Sequence, residues 1–92
     1  MKYSTGVIIV QKTDVESEFE FLCVRAYALW DFPKGEMDPK ETLHTTAIRE
    51  VKEETSLDND IDFKMTNLVI PSIVYGSGKK KKTATYFLAH RT

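Results

Sequence analysis

One segment, residues 40–55, reads as a helix: it holds neither glycine nor proline and is rich in strong helix formers. The segments on either side of it read as strands. Before it come the β-branched run Gly6-Val7-Ile8-Ile9-Val10 and the stretch 19–25, whose alternation suits a hairpin partner for the first. After it come 63–74, expected as one or two strands broken near Pro71, and 83–89 as the last strand. Residues 27–35 mix aromatics with Pro33 and Gly35 and are expected to form an ordered loop. A single central helix between strands leaves few architectures open. The expected fold class is α/β (α+β), a mixed β-sheet carrying that helix on one face.

The helix start is well marked. Asp38 suits the N-cap, Pro39 the first helical position, where a missing amide hydrogen costs nothing, and Glu41 the third, completing a capping box. With Leu43 as origin and about 100° per residue, Ala47 and Val51 fall at about +40° and +80° and define an apolar stripe. Glu50 and Glu54 fall within about 20° of the origin and Glu53 about 80° to one side. Two carboxylates therefore lie on the stripe and a third borders it. Buried carboxylates are costly unless paired or bound to a cation, and three on one face repel one another. A divalent cation resolves both problems, and oxygen-only donors favour Mg²⁺ or Mn²⁺ over zinc. A solvated face salt-bridged by Lys40, Arg49 and Lys52 is the alternative reading of the same residues.

Charge is unevenly distributed along the 92 residues. All 14 carboxylates and 7 basic residues lie in 1–62, whereas 63–92 carry 6 basic residues and no carboxylate, for a net −1. Such a split suits a cation site and an anion site brought together by folding. No window approaches the roughly 18 apolar residues of a membrane span, and the N-terminus lacks a signal-peptide pattern. The lone Cys23 can form no internal disulfide, so a cytoplasmic address without membrane contact is expected, with Cys23 in the core.

Gly35, five residues, Glu41, seven residues, then Arg49-Glu50-Val51-Lys52-Glu53-Glu54-Thr55-Ser56-Leu57 resembles the Nudix box, the loop-helix-loop signature of hydrolases acting on nucleoside diphosphates linked to another moiety. Every fixed position matches except Ser56, where the family has glycine. The resemblance implies a single Nudix domain over 1–92 with its box at 35–57. It implies an α/β/α sandwich lacking the family's C-terminal helix, hence a C-terminally truncated form or a homo-oligomer that covers the bare sheet face. It further implies that Glu50, Glu53 and Glu54 bind the metal, with the Lys34 carbonyl and Glu41 as further ligands. Arg49 then orients the glutamates, and Glu53 or Glu54 serves as catalytic base for in-line attack by water. Ser56 is expected at the left-handed cap, at a cost of about 1 kcal/mol.

Substrate choice lies outside the box. Trp30-Asp31-Phe32-Pro33-Lys34-Gly35 and the stretch 82–89 resemble the subgroup that cleaves diadenosine tetraphosphate. The substrate-binding candidates are Lys34, Gly35, Lys81 and Lys82 toward phosphates and Tyr75 or Tyr86 toward a base. Trp30 and Phe32 read equally as core or as stacking platforms. His44 and His90 read as bystanders. The alternatives are hydrolysis of nucleoside triphosphates, nucleotide sugars or RNA 5′ ends, and a non-catalytic nucleotide- or RNA-binding module.

Overall fold

The computed structural model describes residues 2–16, 18–26, 29–75 and 82–92, and the side chains among these outside 2, 26, 29, 71–75 and 82. In chain order the elements are β1 (Lys2–Lys12), β2 (Phe19–Phe21), β3 (Val24–Ala26), β4 (Leu29–Asp31), β5 (Lys34–Glu36), α1 (Leu43–Thr55), β6 (Phe63–Tyr75) and β7 (Lys82–Arg91). The sheet is mixed, in the order β2-β1-β7-β6. The central β1 runs parallel to β7 from Lys2↔Lys82 to Val10↔His90. Along its other edge it pairs antiparallel with β5 at Thr5↔Gly35 and with β2 at Val10↔Phe21. No helix among the described residues is long and apolar enough to cross a membrane.

Alternation along β1 divides the interior in two, because successive side chains point to opposite faces. Val7 and Ile9 join Ala47, Val51, Phe63 and Ala89 beneath the helix. Ile8 joins Ala84 and Tyr86 on the far face, with Val10, Phe32 and Leu88 packed around them. The helix contributes Thr46, Ala47 and Val51 as buried residues, the last two lying on the apolar stripe read from the sequence.

Several boundaries differ from the sequence expectation. The helix begins at Leu43 rather than at residue 40. Asp38 O accepts from Glu41 N at 3.0 Å, which closes a turn over Pro39 instead of a first helical turn. Thr42 is the N-cap, in a reciprocal capping box with Thr45. The stretch 19–25 is not one strand. It breaks after Phe21, and β3 leaves the sheet to pair with β4 as a separate hairpin, Arg25 opposite Trp30. The stretch 27–35 therefore contains β4 and the start of β5 rather than a loop, and Cys23, at the point of departure, is exposed rather than core. Strand β6 is continuous, but its register on β7 slips between Met65 and Val69 and again between Ile70 and Ile73, around Pro71. The helix ends where Ser56 adopts φ 65°, with its amide donating to Lys52 O, the left-handed cap expected there.

Candidate functional site

Arg49 organises the acidic side of the helix. Its Nε and Nη2 donate to the two oxygens of Glu41 at 2.8 and 2.9 Å. Its Nη1 donates to Glu50 at 2.9 Å and to Glu53 at 3.1 Å, and Nη2 also reaches the Glu36 carbonyl at 3.2 Å. One planar guanidinium thus uses its fork of five N–H donors on three carboxylates and a backbone oxygen, a geometry that the point charge of a lysine cannot reproduce. Glu41 is further held by the Thr46 hydroxyl and the Asp38 amide, both at 3.1 Å. The Arg49 hydrogen bonds hold the Glu41 carboxyl well below the usual range, at about 2.

Glu50 lies against Gly35. A methyl group at position 35 would collide with the Glu50 carboxyl carbon and both its oxygens. Gly35 is required by this close approach and not by a left-handed backbone, since its φ lies outside that region. The strand pairing of β5 with β1 fixes Gly35, and the helix packing against β1 and β5 fixes Glu50. Glu54, one turn later, accepts from the Lys34 amide at 3.2 Å. The Lys34 ammonium pairs with Asp31 at 2.6 Å. Burial pushes the Glu50 carboxyl up, against the pull of Arg49 and with help from Glu53. Burial likewise raises Glu54, and the nearby charge of Glu50 adds to it.

Among the described residues no three acidic, imidazole or thiol side chains stand ready as a cation cage. Glu41, Glu50 and Glu53 turn onto Arg49 instead. The donor chemistry nonetheless fits a hard divalent cation. Glu50 supplies oxygen donors against the Gly35 backbone and Glu54 beside the Lys34 amide, both are disfavoured in their charged form, and a cation would relieve that penalty. Glu53, with its side chain 56% exposed, borders the same face. Glu41 has both oxygens committed to Arg49 and serves as the anchor of that arginine rather than as an open donor.

The remaining sequence candidates separate. Lys34 and Gly35 lie at the glutamate face. Tyr86 does not: it is 8% exposed and packs edge-on to Phe32 at 5.8 Å, so its ring belongs to the far-face core rather than to a stacking platform. Trp30 is 67% exposed with the Arg25 guanidinium over it, which leaves Phe32 as the core residue of that pair. Lys81 and the side chains of Tyr75 and Lys82 lie outside the described residues. His44 meets Phe87 edge-on at the helix surface. The sequence reading missed Asp31, Thr46 and the Glu36 carbonyl as partners of the site. A carbonyl carries no sequence signal, and Thr46 is reached only because Glu41 folds back from the turn.

A family model described as the NUDIX domain matches residues 2–89. Among solved structures, the chain is similar to an Ap4A hydrolase of C. elegans, with 30% identity and a TM-score of 0.82 over 97% of this chain and 67% of that one. A binary complex of a C. elegans Ap4A hydrolase is matched at 30% identity and TM-score 0.83, over 98% of this chain and 66% of that one. The Nudix hydrolase RenU of M. Smegmatis shares the fold at 19% identity, with TM-score 0.74 over 95% of this chain and 59% of that one. The chain thus spans about two thirds or less of these relatives' lengths. No curated protein matches it.

Proposed function

The chain belongs to the Nudix domain family, and from that membership we propose that it hydrolyses phosphoanhydride bonds with the help of a divalent cation, taking dinucleoside polyphosphates such as diadenosine tetraphosphate. The observation that carries the reading is the packing of the Glu50 carboxylate on Gly35, with Arg49 behind it and Glu54 beside it. Similarity to a hydrolase of that substrate at 30% identity supports the finer choice.

Glu50, Glu53 and Glu54 would hold Mg²⁺ or Mn²⁺, with the Lys34 carbonyl beside them. When bound, the cation neutralises phosphate oxygens and activates water. The chain's own residues supply the rest. Arg49 fixes the rotamers of Glu50 and Glu53, while the Lys34 amide fixes Glu54. Glu53 or Glu54 takes the proton from the attacking water, which leaves Glu50 as the most enclosed donor, its side chain 13% exposed. The Lys34 ammonium, now on Asp31, would supply a cationic group to the phosphate chain.

The test is a substrate panel of dinucleoside polyphosphates, nucleoside triphosphates, nucleotide sugars and capped RNA, run with Mg²⁺ and with chelator in ¹⁸O water. Cation-dependent cleavage of diadenosine tetraphosphate above the other substrates is expected. Equal rates with and without chelator, or preference for another anhydride, would overturn the cation dependence or the substrate choice respectively.

A further inference from the structure

One hydroxyl beneath the helix is stranded. Thr5 lies in β1 on the same face as Val7 and Ile9 and is fully buried, yet among the described residues its Oγ1 has no hydrogen-bond partner. A valine would fill the same space without the desolvation cost, so packing alone does not account for the hydroxyl. The strand register decides what faces it. Thr5 is flanked by Thr85 of β7 on one side and by Gly35 of β5 on the other. Directly opposed antiparallel residues carry their side chains on one face, with Cβ atoms about 4.5–5.5 Å apart. Gly35 has no side chain, and the Glu50 carboxyl group fills the place where one would stand. The neighbour of Thr5 on that edge is therefore a carboxylate, about one side-chain spacing away.

Glu50 has room to accept. Among the described residues its one hydrogen bond comes from Arg49, to a single oxygen at 2.9 Å, whereas a carboxylate accepts at about four lone-pair sites. Arg49 divides its donors between Glu50, Glu41 and Glu53, so a divalent cation at this face competes with it for Glu50. Once drawn off the arginine, the enclosed carboxylate needs another donor, and Thr5 is a buried donor with no other acceptor to serve. We propose that Thr5 is a positioning residue for Glu50, its hydroxyl donating to the carboxylate when a divalent cation takes the place of Arg49 on it. The proposal rests on the cation-dependent reading of the glutamate face.

The test is Mn²⁺ binding without substrate, followed by electron paramagnetic resonance, together with thermal melting in chelator. The parent chain is compared with Thr5→Val, Thr5→Ser and Glu50→Gln. In chelator Thr5→Val should melt at or above the parent, because the stranded hydroxyl goes while the shape stays. Its Mn²⁺ affinity should nonetheless fall about tenfold, as expected for the loss of a hydrogen bond to a charged group. Thr5→Ser keeps the hydroxyl and should bind Mn²⁺ within about twofold of the parent. Glu50→Gln, which should also weaken Mn²⁺, identifies the affinity as that of the glutamate face. Thr5→Val binding Mn²⁺ as the parent does, Thr5→Ser binding as weakly as Thr5→Val, or Thr5→Val melting well below the parent in chelator would overturn the positioning role alone. A parent chain that binds no Mn²⁺, or binds it equally in Glu50→Gln, refutes the cation reading itself and the role of Thr5 with it.

Discussion

Replacing Gly35 with alanine separates positioning of the site from stability of the fold. The added methyl overlaps the Glu50 carboxyl group, which is the far end of a flexible side chain, so the side chain turns away and the backbone stays. The displaced carboxylate loses the 2.9 Å bond from Arg49, a charge-assisted interaction of about 1.5–3 kcal/mol where buried. It regains the hydration whose loss pushes its carboxyl up, and it retreats from Glu53. These effects oppose, and the net stability change should be within about 1 kcal/mol. Turnover has no such compensation, since a donor misplaced by about 1 Å costs on the order of 100-fold. Gly6→Ala is the control. There the methyl meets the Pro33 carbonyl and the Lys34 backbone, which Val7 N already ties to Pro33 O at 3.1 Å, and nothing flexible can yield. Overpacking of that kind costs about 1–3 kcal/mol. At about 4–8 °C per kcal/mol in a domain of this size, thermal melting resolves the difference. Turnover and Tm measured on both variants decide the matter. Gly35→Ala with turnover within a few-fold of the parent refutes the positioning role, and Gly35→Ala melting as low as Gly6→Ala refutes accommodation by the side chain.

Three further outcomes follow from named contacts. Ser56→Gly relieves the left-handed cap at φ 65° and should stabilise by about 1 kcal/mol, raising Tm by about 4–8 °C with turnover unchanged; a many-fold change in turnover at constant Tm contradicts a purely conformational role. Glu41, held at about 2, contributes stability fully present above its ordinary value near 4.5 and lost as pH falls toward 2. Melting of Glu41→Gln against the parent should therefore show a gap that closes over that window, and a gap unchanged at acid pH contradicts the Arg49 assignment. Glu54→Gln keeps an acceptor for the Lys34 amide while removing repulsion with Glu50, so Tm in chelator should rise while turnover with Mg²⁺ falls by orders of magnitude; near-normal turnover removes Glu54 from the chemistry.

The helix and the strands around it were legible because their signals are local. The 3.6-residue stripe of Ala47 and Val51 and the β-branched run of β1 need no partner to be recognised. What stayed hidden depended on competition between equally local signals. Asp38-Pro39-Lys40-Glu41 and Thr42-Leu43-His44-Thr45 both carry capping chemistry, and tertiary pull on Glu41 from Arg49 decides between them. The hairpin of β3 and β4 was missed for a related reason: its three-residue strands are too short for alternation to register, and Pro33 and Gly35 read as loop.

The site shows the same division more sharply. The spacing of Glu50, Glu53 and Glu54 on a helix is fixed by the sequence alone, yet spacing does not say which carboxylates are enclosed. Glu50 and Glu54 lie at similar angles on the helical wheel, but the Glu50 side chain is 13% exposed, packed on the glycine of β5, whereas Glu54 is exposed. Enclosure also explains why one arginine suffices. With Glu41 anchoring two of its donors from the turn, Arg49 can neutralise Glu50 and Glu53 together while Glu54 leans on the Lys34 amide. A cation entering this face would therefore compete with Arg49 for Glu50 and Glu53 but not for Glu54. Glu54 is the donor already free of the arginine, held instead by the Lys34 amide.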